Sequence, residues 1–96
     1  PPKAAVHAWA KGVSRRVAKD GVTINSIPPG KITSEQIQRN YTDEERAAYS
    51  SNDITLGYFG EPEDIGHLIA YLASPLGSYI TGTVIPVDGG FRKHSF

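Results

Sequence analysis

The chain has 96 residues, with ten basic and ten acidic side chains and a formal net charge of zero. A chain of this length forms at most one small domain with a thin core, because it buries only about 60–70% of the surface that it exposes when unfolded. The balanced charge gives no overall field that would attract nucleic acid or an anionic membrane, so we expect neither as a partner.

Cysteine is absent and the three histidines lie far apart in the sequence, so we expect no metal site. No apolar run approaches the roughly 18 residues that cross a bilayer, and the start of the chain lacks the pattern of a secretory leader. These features favour a cytoplasmic protein. The first residue is proline rather than methionine, which favours a piece of a longer protein.

A first amphipathic helix is predicted over residues 2–19. Its apolar residues recur at helical spacing, and Asp20-Gly21 supplies a stop. We interpret Trp9 as a core anchor rather than as a ligand platform. The apolar face consists of Val6, Trp9, Ala10, Val13 and Val17.

A short buried strand is predicted over residues 22–27, where β-branched residues are frequent. The sequence Pro28-Pro29-Gly30 follows and ends the strand abruptly, since proline has no N–H to give. In an open α/β sheet, ligands bind at the carboxyl ends of the strands. This turn is therefore the first candidate for a functional site.

Residues 31–52 form a polar region with two predicted capping boxes, Thr33 with Gln36 and Thr42 with Glu45. Two short helices are the simplest interpretation. The region has few strong apolar residues and can bury little, so we expect it to be mobile. A lid over a ligand and a solvated surface loop are both compatible with this composition.

A stronger helix is predicted to begin at Glu61-Pro62-Glu63-Asp64 and to end at Ser74-Pro75. We interpret the carboxylates of its first turn as capping and dipole partners rather than as an acid–base pair. The predicted core face of this helix is Ile65, Leu68, Ile69 and Leu72.

A second strand is predicted over residues 83–87, and Pro86 within it favours a place at the edge of a sheet. The order helix, strand, helices, strand indicates an α/β fold in which a right-handed crossover joins two parallel strands. Parallel strands are normally continued by neighbours, so the strand at residues 22–27 needs another partner.

Five segments of the chain together resemble the carboxy-terminal part of the short-chain dehydrogenase/reductase family, and its 3-oxoacyl-carrier-protein reductase-like members most of all. One segment resembles the end of the family's Tyr-x-x-x-Lys-Ala-Ala helix, and the next along the chain is similar to its Asn-x-Ile-x-Pro-Gly-x-Ile segment. The others resemble its last helix and last strand. The segments are Lys3-Ala4-Ala5, residues 25–32, Gly60-Glu61-Pro62-Glu63-Asp64-Ile65, Leu72-Ala73-Ser74 with Tyr79-Ile80-Thr81-Gly82, and Val87-Asp88-Gly89-Gly90.

The resemblance implies that residues 1–96 are a single partial domain, the carboxy-terminal fragment of a Rossmann-like doubly wound parallel sheet, with residues 31–52 as a substrate lid. It implies an NAD(P)-dependent oxidoreductase that reduces a carbonyl of 3-oxoacyl type, or oxidises an alcohol, by hydride transfer. The implied cofactor is NAD or NADP. The implied partners are a small-molecule carbonyl or alcohol, an acyl-carrier-bound one included, and further copies of the chain in a homo-oligomer.

The resemblance also implies roles for particular residues. Lys3 would be catalytic, holding the nicotinamide ribose hydroxyls and lowering the pKa of a general-acid tyrosine. That tyrosine would lie two positions upstream of Pro1, so we expect the fragment alone to be inactive. Without the family, Lys3 is interpreted as a surface lysine at a helix start. The implied cofactor-binding residues are Lys3, Pro29, Gly30, Ile32, Thr33 and Ser34.

An alternative function is a non-catalytic assembly piece that completes its sheet with another chain, because exposed strand edges invite pairing. Tyr41, Tyr58 and Phe59 could line an apolar pocket, although aromatic residues of a small domain more often belong to its core. The basic residues Arg92-Lys93-His94 could meet an acidic carrier, and we favour a solvated tail.

Overall fold

The computed structural model describes residues 2–91; the basic tail at residues 92–94 lies outside them. Within that range the order is a long helix, two short ones and a fourth, with single 3-10 turns after the first and the last. The elements are α1 (Pro2–Val17), the 3-10 turn Ala18–Asp20, α2 (Glu35–Asn40), α3 (Asp43–Asp53), α4 (Pro62–Ala73) and the 3-10 turn Pro75–Gly77.

Helix α1 buries a narrower face than its sequence predicts. Ala10 and Ser14 are buried, and Ser14 lies against Gly82. In contrast, Trp9 is 68% exposed, so its assignment as a core anchor is wrong for this chain. The reason is that, within residues 2–91, the contact at Gly82 covers α1 at Ser14, and Trp9 stays open to solvent.

The two predicted strands are not formed as strands within residues 2–91. Parallel bridges join Ser26 to Val84 and Pro29 to Val87, so the predicted parallel direction is confirmed. A continuous ladder is interrupted because Pro28 has no N–H to donate to the second segment. The pairing remains a short ribbon, and the predicted sheet is not seen in this part of the chain.

The region after the turn contains the two predicted helices. The capping box at Thr42 is confirmed: its hydroxyl accepts the N–H of Glu45 at 3.0 Å, and the Glu45 carboxylate accepts the N–H of Thr42 at 3.0 Å. The box at Thr33 is wrong, because α2 begins at Glu35 and places Ser34 directly before it. Ile54, just after α3, is 4% exposed and anchors the end of this region.

Helix α4 begins and ends as predicted. Asp64 accepts the N–H of Glu61 at 2.7 Å, which supports the capping role of these carboxylates. Ser74 ends the helix by donating its hydroxyl to the Tyr71 carbonyl at 2.7 Å. Of the predicted core face, Ile69 is 51% exposed and the other members are half-buried. No helix within residues 2–91 is long and apolar enough to cross a membrane.

Candidate functional site

The candidate site is built on the turn that ends the first extended segment. Pro28 is buried, its carbonyl accepts the N–H of Val87 at 3.1 Å, and Gly30 donates its N–H to the Val87 carbonyl at 3.0 Å. These bonds hold the turn against the segment that ends at Asp88. The turn is therefore fixed to a neighbouring segment rather than exposed as a free loop.

Glycine is required at position 30 by close packing. A Cβ on Gly30 would lie 2.6 Å from the Cβ and 2.7 Å from the Cα of Asp88. Contacts this short do not occur between real carbon atoms, so any other residue would push the two segments apart. The glycine of the Pro-Pro-Gly turn thus sets how closely the turn approaches Asp88.

After the turn, the chain pairs with the residues just before α4. Ile32 forms a parallel bridge with Gly60. Thr33 donates its N–H to the Gly60 carbonyl at 2.8 Å, and Gly60 donates its N–H to the Lys31 carbonyl at 2.9 Å. Sequence reasoning missed this bridge, although the glycine at position 60 belongs to one of the segments that carry the family resemblance.

The bridge leaves one donor and one acceptor unused. In a parallel bridge, the partner bonds to the residues on either side of the bridged one, so the groups of Ile32 itself face the other way. Its N–H and C=O make no hydrogen bond to any residue in the described range. Ile32 therefore presents a neighbouring donor and acceptor to the side opposite Gly60.

A cavity of about 240 Å³ adjoins this pairing. Its apolar lining includes Ile32, Leu56 and Val87, together with the ring of Tyr58, and Lys31 and Asp88 contribute charged groups. Tyr58 is 61% exposed, so it lines a pocket rather than a core. Lys31 also places its Nζ 5.9 Å from the centroid of the Phe91 ring, a cation–π distance.

The predicted site residues do not all meet in the described contacts. Four of them lie together in the turn and its bridges, namely Pro29, Gly30, Ile32 and Thr33. Ser34 comes next and directly precedes α2. Lys3 stands apart in the first turn of α1, and its side chain is exposed. Among the residues that the structure describes, no group of three or more His, Cys, Asp or Glu could hold a metal ion.

Comparison with known proteins agrees with this geometry. The family described as enoyl-(acyl carrier protein) reductase matches residues 1–92. L-rhamnose 1-dehydrogenase (NAD(P)(+)) of Sphingomonas sp. (strain SKA58) is 37% identical over 90 residues, which is 94% of this chain and 35% of that protein. The 3-oxoacyl-[acyl-carrier-protein] reductase FabG of Vibrio harveyi is 40% identical over 88 residues, which is 92% of this chain and 35% of that protein.

Solved structures show the same relationship. The NADPH-bound short chain oxidoreductase of Pseudomonas aeruginosa PAO1, described as containing an atypical catalytic center, has a TM-score of 0.85 and 33% identity, covering 96% of this chain and 37% of that one. A 4-hydroxyisoleucine dehydrogenase complexed with NADH has a TM-score of 0.84 and 28% identity, covering 97% and 38%. The chain belongs to the short-chain dehydrogenase/reductase family. It spans about a third of the length of these relatives.

Proposed function

We propose that this chain is the nicotinamide-binding, carboxy-terminal part of an NAD(P)-dependent oxidoreductase that reduces a carbonyl of 3-oxoacyl type, or oxidises an alcohol, by hydride transfer. Family membership supports the general reaction. Relatives named as 3-oxoacyl-[acyl-carrier-protein] reductases support the carbonyl class, an acyl-carrier-bound substrate included. Neighbouring structures bound to NADPH or NADH support the choice of NAD or NADP.

The observation that carries the proposal is the unused backbone pair of Ile32. A nicotinamide carboxamide has one carbonyl acceptor and one NH₂ donor, which complement a backbone N–H and C=O on the same residue. The adjoining residues Pro29, Gly30, Thr33 and Ser34 would form the rest of this contact. When bound, the cofactor would supply the hydride, and these residues would orient its ring.

Lys3 would complete the site from the opposite side. Ser14 of α1 meets Gly82, which is hydrogen-bonded to Ile24. From that level, α1 runs back to Lys3 over about 16 Å at 1.5 Å per residue, and the extended segment runs forward to Pro29 over about 16 Å at 3.3 Å per residue. Because the two lengths are equal, they support a position of Lys3 at the same end of the structure as the Pro-Pro-Gly turn.

The chemistry of Lys3 suits a proton-transfer site. Its ammonium would donate to ribose hydroxyls, and its positive charge would favour the ionised form of a nearby tyrosine phenol, which lowers the pKa of that phenol. In the family's pattern this tyrosine lies four residues before the lysine. The phenol would give its proton to the carbonyl oxygen of the substrate, while Lys3 holds the phenolate that remains.

Residues 31–52 would form the substrate lid. Helix α2 begins at Glu35, shortly after the bridge at Ile32, so any movement of this region would open or cover the place where the nicotinamide would lie. None of the apolar residues of this region whose side chains the structure describes is buried, and Ile54, two residues beyond it, is 4% exposed. Weak anchoring of this kind is typical of loops that close over ligands.

We also propose a homo-oligomer. Helix α4 and the turn after it expose large apolar side chains, among them Ile69, Leu76 and Tyr79, the last fully exposed. Exposed apolar groups close together often mark an interface. A second copy of the chain is the simplest partner for this surface.

The test is turnover by the intact protein, upstream sequence included. We expect a 3-oxoacyl thioester to cause loss of reduced-nicotinamide absorbance, with Lys3→Met lowering kcat by about 100-fold or more. Lys19→Met is the matched control, because Lys19 is an exposed lysine beyond the other end of α1. Absence of turnover with every carbonyl and alcohol tried, under either cofactor, would rule out the proposal.

A second candidate function is supported by a separate observation. The backbone N–H groups of Thr23, Asn25 and Ile27 bond to nothing within residues 2–91, so one edge of the extended segment is open. Such an edge can pair with another chain. If the chain acts as a non-catalytic assembly piece, sedimentation of the 96-residue chain should show self-association or capture of its amino-terminal part, and a compact stable monomer would contradict this.

A further inference from the structure

The pairing of the two extended segments contains an irregularity at Gly82. Gly82 donates its N–H to the Ile24 carbonyl at 2.8 Å, and Ile85 donates its N–H to the Ser26 carbonyl at 2.9 Å. The two acceptors are two residues apart, whereas the two donors are three residues apart. One extra residue is therefore held on the second segment, which makes this a β-bulge.

The side chain of Asn25 is bound across the bulge. Its Oδ1 accepts the backbone N–H of Thr83 at 3.1 Å and the Thr83 hydroxyl at 2.6 Å. Its Nδ2 donates to the carbonyl of Ile80 at 3.1 Å. The Thr83 N–H is the one that the bulge leaves without a backbone acceptor, so the amide of Asn25 replaces the missing ladder bond.

Helix α1 holds the bulge from its other side. Gly82 has a φ of 70°, and a Cβ there would lie 2.9 Å from the Ser14 Oγ. Lys11 donates its Nζ to the Gly82 carbonyl at 3.2 Å. A residue in the left-handed region that is packed this closely must be glycine. The bulge is therefore tied to the position of Gly82.

The bulge decides which residue is placed to donate a hydrogen bond to the Pro28 carbonyl. If the spacing at Ile24 and Gly82 continued without it, the carbonyl of Pro28 would face Pro86, which has no N–H. With the bulge, that carbonyl accepts the N–H of Val87 at 3.1 Å instead. The shifted register therefore keeps a hydrogen bond to the Pro28 carbonyl that the unshifted register would lose at Pro86.

We propose that Asn25 is a positioning residue for the nicotinamide turn: its amide stabilises the bulge at Gly82 and Thr83, and the bulge sets the register that places Pro29, Gly30 and Ile32. The part of this inference that concerns the cofactor rests on the function proposed above. Asn25 acts through the pairing and does not itself touch the cofactor. An amide is needed because both a donor and an acceptor are used.

The experiment uses the intact protein and compares two ligands. Reduced nicotinamide cofactor engages the turn, whereas ADP-ribose, or its 2′-phosphate where NADP is preferred, lacks the nicotinamide. We expect Asn25→Leu to weaken the full cofactor roughly tenfold or more and to leave ADP-ribose binding unchanged. Amide hydrogen exchange at Val87 should accelerate in the same variant. Ser78→Ala, an exposed residue outside the pairing, should change none of these values.

The conservative variant separates the contacts. Asn25→Asp keeps the acceptor for Thr83 and loses the donor to Ile80, so we expect a smaller change in the same direction. If Asn25→Leu does not fold, Asn25→Asp makes the same comparison. If the Asn25 variants keep wild-type cofactor affinity and wild-type protection of the Val87 amide from exchange, the inference is overturned. If the unaltered protein binds neither ligand, the proposed function fails, and exchange at Val87 still decides whether Asn25 sets the register.

Discussion

Gly30 and Asp88 approach each other so closely that a single methyl group on Gly30 would lie 2.6 Å from the Asp88 Cβ. The two residues are far apart in the sequence, and each ends an extended segment. Their contact therefore fixes the distance between the carboxyl ends of the two segments.

Gly30→Ala should separate these ends. Because backbone and Cβ atoms of Asp88 cannot rotate away, we expect the free energy of unfolding to fall by about 1–3 kcal/mol, measured by urea denaturation, and cofactor affinity to fall with it. Gly12→Ala is the matched control: nothing lies within 4 Å of a Cβ there, and alanine in a helix should stabilise by about 0.5–1 kcal/mol. Equal effects of the two substitutions would contradict the packing argument.

The capping box at Thr42 should be important for α3 alone. Thr42→Ala removes the hydroxyl that accepts the Glu45 N–H, so the local opening free energy of α3 should fall by about 1 kcal/mol. Hydrogen exchange at the Arg46 amide, which donates to the Thr42 backbone carbonyl at 2.9 Å and keeps that acceptor in the variant, measures this. Thr33→Ala, at the position where no capping box forms, should change the same opening energy by less than about 0.5 kcal/mol.

The unused carbonyl of Ile32 predicts selectivity among cofactor analogues. Replacing the carboxamide NH₂ by a methyl group, as in the 3-acetylpyridine analogue, would leave that carbonyl without a donor and cost about 1–3 kcal/mol of binding. The intact protein should therefore bind the analogue roughly ten- to a hundredfold more weakly than the natural cofactor. Equal dissociation constants in a fluorescence titration would show that Ile32 does not contact the carboxamide.

Trp9 is the only tryptophan of the chain, which makes it a reporter for coverage of α1. At 68% exposure, it should emit at long wavelength and be readily quenched by acrylamide in a monomer of these 96 residues. If the chain is the carboxy-terminal part of a longer protein, as proposed above, and the other residues of that protein cover α1, the emission should lie at shorter wavelength and be less quenched. Blue, protected emission from the monomer would contradict the exposed position.

The sequence predicted features that depend on neighbouring residues. The helix starts at Thr42 and Glu61 and the stop at Ser74 follow from local capping and proline, and the parallel direction of pairing follows from the order of the elements along the chain. The family, and with it the turn at Pro29, followed from short motifs in the right order.

Features that depend on distant residues were not predictable in the same way. The bulge at Gly82 brings the Pro28 carbonyl to the N–H of Val87 instead of to Pro86, and the bridge between Ile32 and Gly60 joins segments on either side of two helices. The exposure of Trp9 has a different origin: periodicity shows which face of a helix is apolar, but it does not show what covers that face.

Pro86 has a consequence for aggregation. On the outer side of residues 83–87, the row of backbone donors is interrupted where proline stands, so a foreign strand could not form a continuous ladder there. The opposite edge, at Thr23, Asn25 and Ile27, has its full set of N–H groups. Growth by strand addition is therefore one-sided: the chain can be extended from one edge and is protected from polymerising at the other.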